Sequence, residues 1–205
     1  MKKLAFVFLL LLTSIGSIEK VSAQALQANV QMVKVREQEE LSIKRAIEKA
    51  YPLAMIWNKN AAILQAINID SDRPVEGLGA NGKRKNWNII FGVPDTNYVF
   101  LITIQNGKIN GLNDLTRKGT SPHSPNEFIK LDEIKYDSPE LLQKALEMGD
   151  INPGRNWAKG YNFLLRKDTE KDIPLLLVIG WNNDQTKMTS VDFNVKTGEY
   201  IEHID

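Results

Sequence analysis

The sequence predicts an α+β protein in which helices pack on one face of an antiparallel β-sheet, in two similar helix-plus-sheet units. Three observations predict it. Residues 43–50 and 141–148 place apolar side chains at helical spacing. At least five other stretches are aromatic, β-branched or strictly alternating, as strands are. Residues 88–109 and 176–201 also share one order: apolar strand, glycine, Asn/Asp-rich turn, alternating strand, glycine turn. In that order Gly92 answers Gly180 and Gly107 answers Gly198.

Residues 1–23 read as a secretory signal peptide: two lysines, an apolar stretch from Leu4 to about Leu12 that tapers through Ile18, then small residues. Cleavage is expected after Ala23 or Ala25, and the apolar run is short for a membrane span. The expected location is therefore outside the cytoplasm, secreted or in the cell envelope, with no membrane span after cleavage. The chain has no cysteine, which rules out disulfides, thiolate metal sites and the acylated cysteine of a lipoprotein. Its 26 basic and 25 acidic residues nearly cancel, so nucleic acid is not an expected partner. The densest basic cluster, residues 82–86, reads as a solvated loop.

In chain order, a first unit is expected over residues 24–115. Ile43, Ala46, Ile47 and Ala50 share one helical face. Pro52 breaks the pattern into two helices or one kinked helix, with Leu53, Met55, Ile56, Ala62, Ile63, Ala66 and Ile67 continuing the apolar content. A glycine-rich, charged loop over 70–86 then separates helix from sheet. Strands follow at 87–93 and 98–105, joined through Pro94–Asn97. Residues 116–137 read as a connection with one short strand near Phe128.

The second unit, 138–205, opens with Ser138 as helix N-cap and Pro139 in the first turn, and its helix ends at Gly149. The helices before the two sheets each carry a Leu-Gln pair, Leu64-Gln65 and Leu142-Gln143. Strands are expected at 161–167, 174–181 and 188–195. In the last, Val191, Phe193 and Val195 face a covered side and Asp192, Asn194 and Lys196 a wet one, which makes it the closing strand. Thr197-Gly198 supplies a turn, beyond which residues 199–204 continue.

With these residues in view, the second half resembles the PepSY-like domains of exported bacterial proteins. The resemblance is carried by "LLQKALEM", the "NPG" turn, "YNFLLRK", "DIPLLLVIGW" and the closing "SVDFNVKTGEYI", over residues 138–203. The first half resembles that family more weakly, since "TIQNGKI" lacks the Asp and the Thr-Gly-Glu. The resemblance implies a binding, inhibitory or regulatory module, with no catalytic residues and no cofactor.

The chemistry-bearing residues are sparse. His123 lies between prolines in a loop, and no Gly-x-Ser-x-Gly elbow accompanies it. The oxygen-rich stretches at 70–72 and 182–184 lack the remaining ligands of a calcium loop, and Gly77, Gly79 and Gly82 lack the spacing of a phosphate loop. Four tryptophans sit at element ends, where a ring either caps the core or lines a groove. Trp181 is the preferred anchor, with Asp184 of the adjoining hairpin and Trp87 as further candidates. The expected partner is a protein or peptide at a sheet face or edge. A small secreted hydrolase with dispersed acidic residues and a carrier of an apolar small molecule are the alternatives.

Overall fold

The computed structural model describes residues 39–69, 78–149 and 151–204. The expected signal peptide and the acidic stretch at 70–72 lie outside the described residues. Helix α1, Ile43–Trp57, is followed by strands β1 (Ala62–Asn68), β2 (Trp87–Gly92), β3 (Val99–Gln105) and β4 (Lys108–Asp114). Helix α2, Ser138–Met148, is followed by β5 (Asn162–Asp168), β6 (Ile173–Trp181), β7 (Met188–Asn194) and β8 (Tyr200–Ile204). All eight strands form one antiparallel sheet in the order β4-β3-β2-β1-β5-β6-β7-β8. Each half is thus a helix and a four-stranded meander, and the halves join where β1 meets β5.

Several expectations need correction. Residues 62–67 are strand, not helix: their β-branched and apolar side chains satisfy a strand buried between two neighbours as well as a helix, and periodicity does not separate short apolar runs. The Leu-Gln match fails with it, since Gln65 lies on β1 and Gln143 on α2. Pro52 does not split the segment into two helices. Helix α1 carries it internally and runs on to Trp57, without the hydrogen bond that its missing N–H would have given. The stretch after the Asn106-Gly107 turn, for which no strand was expected, is strand β4. The last strand is β8, so β7 is not the closing one.

Both helices bury their apolar stripes in one core. Ile43, Ala46, Ile47 and Ala50 of α1 and Leu141, Leu142 and Ala145 of α2 pack with Trp87, Ile89, Ile102, Phe163, Val178, Val191 and Phe193 from one face of the sheet. The N-termini of the two helices meet. Asp137, the N-cap of α2, accepts from its own Ser138 N–H (2.7 Å) and also from the Lys44 N–H of α1 (3.1 Å). The Ser42 hydroxyl donates to Asp137, and Ser138 Oγ accepts from the Ile43 N–H (3.0 Å). One carboxylate and one hydroxyl therefore serve orphan donors of two helix ends, and the negative charge sits where both dipoles are positive. The N-cap falls one residue before the predicted Ser138.

The seam between halves is polar and is built around one side chain. Arg84 is 0 % exposed. Its Nη1 donates to the carbonyls of Lys159 (3.1 Å) and Tyr161 (3.0 Å) and to Asn162 Oδ1 (3.0 Å). Asn68 Nδ2 donates to the same Asn162 oxygen, and Asn68 Oδ1 accepts from Phe163 N–H. Arg84 was expected in a solvated basic loop; it is instead the tie between β1, the segment before β2 and the start of β5. Burying a guanidinium is costly unless its donors find acceptors, and for Nη1 the Lys159 and Tyr161 carbonyls and Asn162 Oδ1 supply them.

The Thr197-Gly198-Glu199 turn is explained by its surroundings. Gly198 has φ +73°, and a Cβ there would lie 2.7 Å from the Tyr136 ring. Lys144 Nζ donates to the Gly198 carbonyl (2.7 Å) and sits over the same Tyr136 ring. The turn is thereby locked to helix α2.

Candidate binding face

Cross-strand partners share a face, so the register identifies the side turned away from the helices. One row runs Leu101, Ile90, Gln65, Arg166, Leu175, Asn194 across β3 to β7. The next runs Thr103, Asn88, Ile67, Leu164, Leu177, Asp192, Glu202 across β3 to β8. Exposure divides this face. Leu101, Ile90, Gln65, Ile67 and Leu164 are half-buried and Arg166 is exposed, whereas Leu175, Leu177, Asp192 and Asn194 are buried. The predicted wet positions Asp192 and Asn194 are therefore not wet; only Lys196, beyond the strand, is exposed.

A groove of about 370 Å³ opens in the accessible part, at the junction of β1 and β5. Strand β1 pairs with β5 only over Gln65–Ile67; further along, Ile129 of the connection takes its place through Ile63 N–H to Ile129 O (3.2 Å) and Ile129 N–H to Ile63 O (2.8 Å). The switch of partner leaves a notch. Leu64, Ile90 and Val99 form its apolar floor, Gln65, Arg166 and Lys167 its polar side, and His123 and Glu127 its rim. His123 Nδ1 lies 2.9 Å from Glu127 Oε2, and this hydrogen bond holds the Glu127 carboxyl below its ordinary value. The His123 ring meets Phe128 edge-on, so the residue is half-buried rather than solvated.

Asp192 lies beyond the groove. Its Oδ1 accepts from Ser190 Oγ (2.8 Å), while Oδ2 is buried with no partner. Burial pushes this carboxyl up, and the nearby Glu202 adds to the rise, against the opposing pull of Ser190, Arg166 and Lys171. A raised acid is what general acid–base chemistry uses, but Asp192 is 0 % exposed and out of a substrate's reach. Among the described residues no group of three or more His, Asp and Glu side chains is placed to hold a metal ion.

Of the three residues singled out in the sequence, Trp181 and Asp184 share the β6–β7 hairpin, and Trp87 lies apart from them on β2. Trp87 is wholly buried in the core and donates its Nε1–H to the Arg84 carbonyl (3.0 Å), so it fills the core role open to a ring at a strand end. Trp181 is 7 % exposed and meets Trp157 edge-on. Asp184 shapes its hairpin: its carboxylate accepts from the Thr186 hydroxyl (2.7 Å) and is held low by that bond. Gln65, Glu127 and Arg166 of the groove were not singled out as site residues in the sequence, and His123 was read there only as a loop residue.

The sheet edges are guarded. Strand β8 has five residues, carries Glu202 and pairs irregularly at Asp192/Phe193; β4 carries Lys108 and Asp114, and its pairing slips at Thr103/Ile104. No helix among the described residues is long and apolar enough to cross a membrane.

No protein-family model matches the sequence, and no curated protein matches it. The fold is similar to the crystal structure of a putative lipoprotein from Clostridium difficile 630, with a TM-score of 0.53 at 12 % identity, covering 75 % of this chain and 88 % of that one. The likeness is one of fold.

Proposed function

We propose that this chain is an exported, non-enzymatic binding or regulatory module that receives a protein or peptide on the helix-free face of its sheet. The observation that carries the reading is the accessible apolar strip Leu101, Ile90, Ile67 and Leu164, bordered by Gln65 and Arg166 and ending in the groove at the β1–β5 junction. Apolar side chains ringed by hydrogen-bonding ones are what a protein interface uses, its centre dry and its rim polar. The guarded edges favour the face over strand addition as the mode of docking.

Placement outside the cytoplasm rests on residues 1–23, which carry the lysines, apolar stretch and small residues of a secretory signal peptide. The recurrence of a helix followed by a four-stranded meander supports reading the halves as PepSY-like units that have merged into one sheet.

Co-purification from envelope extract tests the reading. A Leu101→Glu/Arg166→Glu variant is expected to lose a defined partner that Ile56→Glu, on the exposed side of α1, retains, with both variants folded by circular dichroism. Equal capture by both variants would move the binding surface elsewhere.

A further inference from the structure

A second cleft lies at the far end of β6, independent of the face described above. Two tryptophans build it. Trp181 closes β6 and is clamped by Asn152, with Asn152 N–H to Trp181 O and Trp181 N–H to Asn152 O both at 2.8 Å. The following loop is closed on itself by Gly154 N–H to Gly160 O and Gly160 N–H to Gly154 O, each 2.9 Å, and it presents Trp157. The rings stand at 87° with centroids 5.0 Å apart. Asn152 Nδ2 donates to Asn183 Oδ1 (2.9 Å), tying this loop to the 182–187 hairpin.

Three properties of the cleft point to a ligand. Trp157 is 58 % exposed, although its ring is held in place by Trp181 behind it, and an ordered aromatic face open to water has an unmet apolar surface. Trp181 is 7 % exposed and forms a fixed aromatic wall of the cleft behind that ring. The space, about 250 Å³, is lined by Asn156, Trp157, Trp181, Gln185 and Thr186, of which none carries a charge. Gly154 backs the site: a Cβ there would fall 2.6 Å from Trp181 Nε1, so any other residue would displace the ring.

From these properties we infer that the Trp157–Trp181 cleft is a subsite for one ring of a neutral saccharide. A pyranose has an apolar C–H face and a rim of hydroxyls that both donate and accept. The open face of Trp157 suits the first; the amides of Asn156 and Gln185 suit the second. The neutral lining offers no countercharge for a phosphate, carboxylate or ammonium group. A single-ring contact of this size gives weak binding, with Kd of about 1 mM.

The test is an NMR titration of the mature chain, following the indole N–H signals of its four tryptophans. The probes are cellohexaose, chitohexaose and mannohexaose, with decaproline as the rival chemistry that aromatic clefts also accept. The expected result is a saturable shift of the Trp157 and Trp181 signals with at least one oligosaccharide, while the buried Trp87 signal stays fixed. Trp157→Ala, which removes an exposed ring, should keep the remaining spectrum and weaken binding by about tenfold or more, with Trp157→Phe restoring much of it. Silence from all three oligosaccharides at several times the expected Kd, or a response to decaproline instead, would overturn the assignment.

Discussion

The two halves of the sheet repeat the same order of elements but are buried differently. In the first half, β3 alternates strictly between buried and half-exposed positions, and β4 is mostly open. In the second, six of the seven residues of β7 and seven of the nine of β6 are buried, so both sides of these strands are covered. One topology thus supplies a half with a usable open face and a half without one. Amphipathic alternation in a strand reports a single covered face, and it fails where both faces are covered. That is why Asp192 and Asn194 read as wet and are not.

The largest test of this comparison concerns whether the halves stand alone. They share one core and the Arg84 seam, so Trp87→Ala in the first half should cost about 3–5 kcal/mol and lower the stability of both halves together. Urea unfolding followed by Trp57 and by Trp181 fluorescence checks it: a single shared transition is expected, and two separated midpoints would show the halves to be independent. Next comes the junction of helices. Asp137→Ala removes an acceptor for both α1 and α2, and a loss of about 2 kcal/mol is expected, at the upper end for a capping residue because two helices depend on it.

Two glycines sharpen the contrast between a turn held by packing and one that is free. Gly198 and Gly149 both have positive φ, but a Cβ at Gly198 strikes Tyr136, while nothing lies within 4 Å of one at Gly149. Gly149→Ala should cost about 1 kcal/mol from backbone strain alone, and Gly198→Ala measurably more, by thermal unfolding.

The smallest effect concerns pH. Because the folded-state carboxyl of Asp192 is raised above its unfolded value, the folded chain holds the proton more tightly. Stability from this group is present below the unfolded carboxylate range and declines as pH rises through the folded value. Asp192→Asn should therefore remove that decline and make the protein more stable at neutral pH. A variant less stable than the parent at pH 7 would mean that the ionised carboxylate has a partner worth more than its burial costs.

Much of the fold could be read from residue patterns, and the misses have physical causes. The stripe Ile43, Ala46, Ile47, Ala50, the Gly149 stop and the turns at Gly107 and Gly198 were legible because helical period and positive φ leave local marks. Strand β1 was not, since "AILQAI" suits either period and only its burial between β2 and β5 decides. Arg84 and Asp137 were hidden for a different reason. Their roles come from acceptors and donors roughly 75 and 95 residues away, which no local pattern carries. The groove was equally invisible, because it arises where β1 exchanges β5 for Ile129.

The most direct test of the proposed binding face is site-specific photocrosslinking in exporting cells. A benzophenone side chain replaces Leu101 on the helix-free face in one variant and Ile56, 81 % exposed on helix α1, in the other. A discrete adduct from position 101 and none from position 56 is the predicted result. An adduct from position 56 alone would place the partner on the helices and contradict the account.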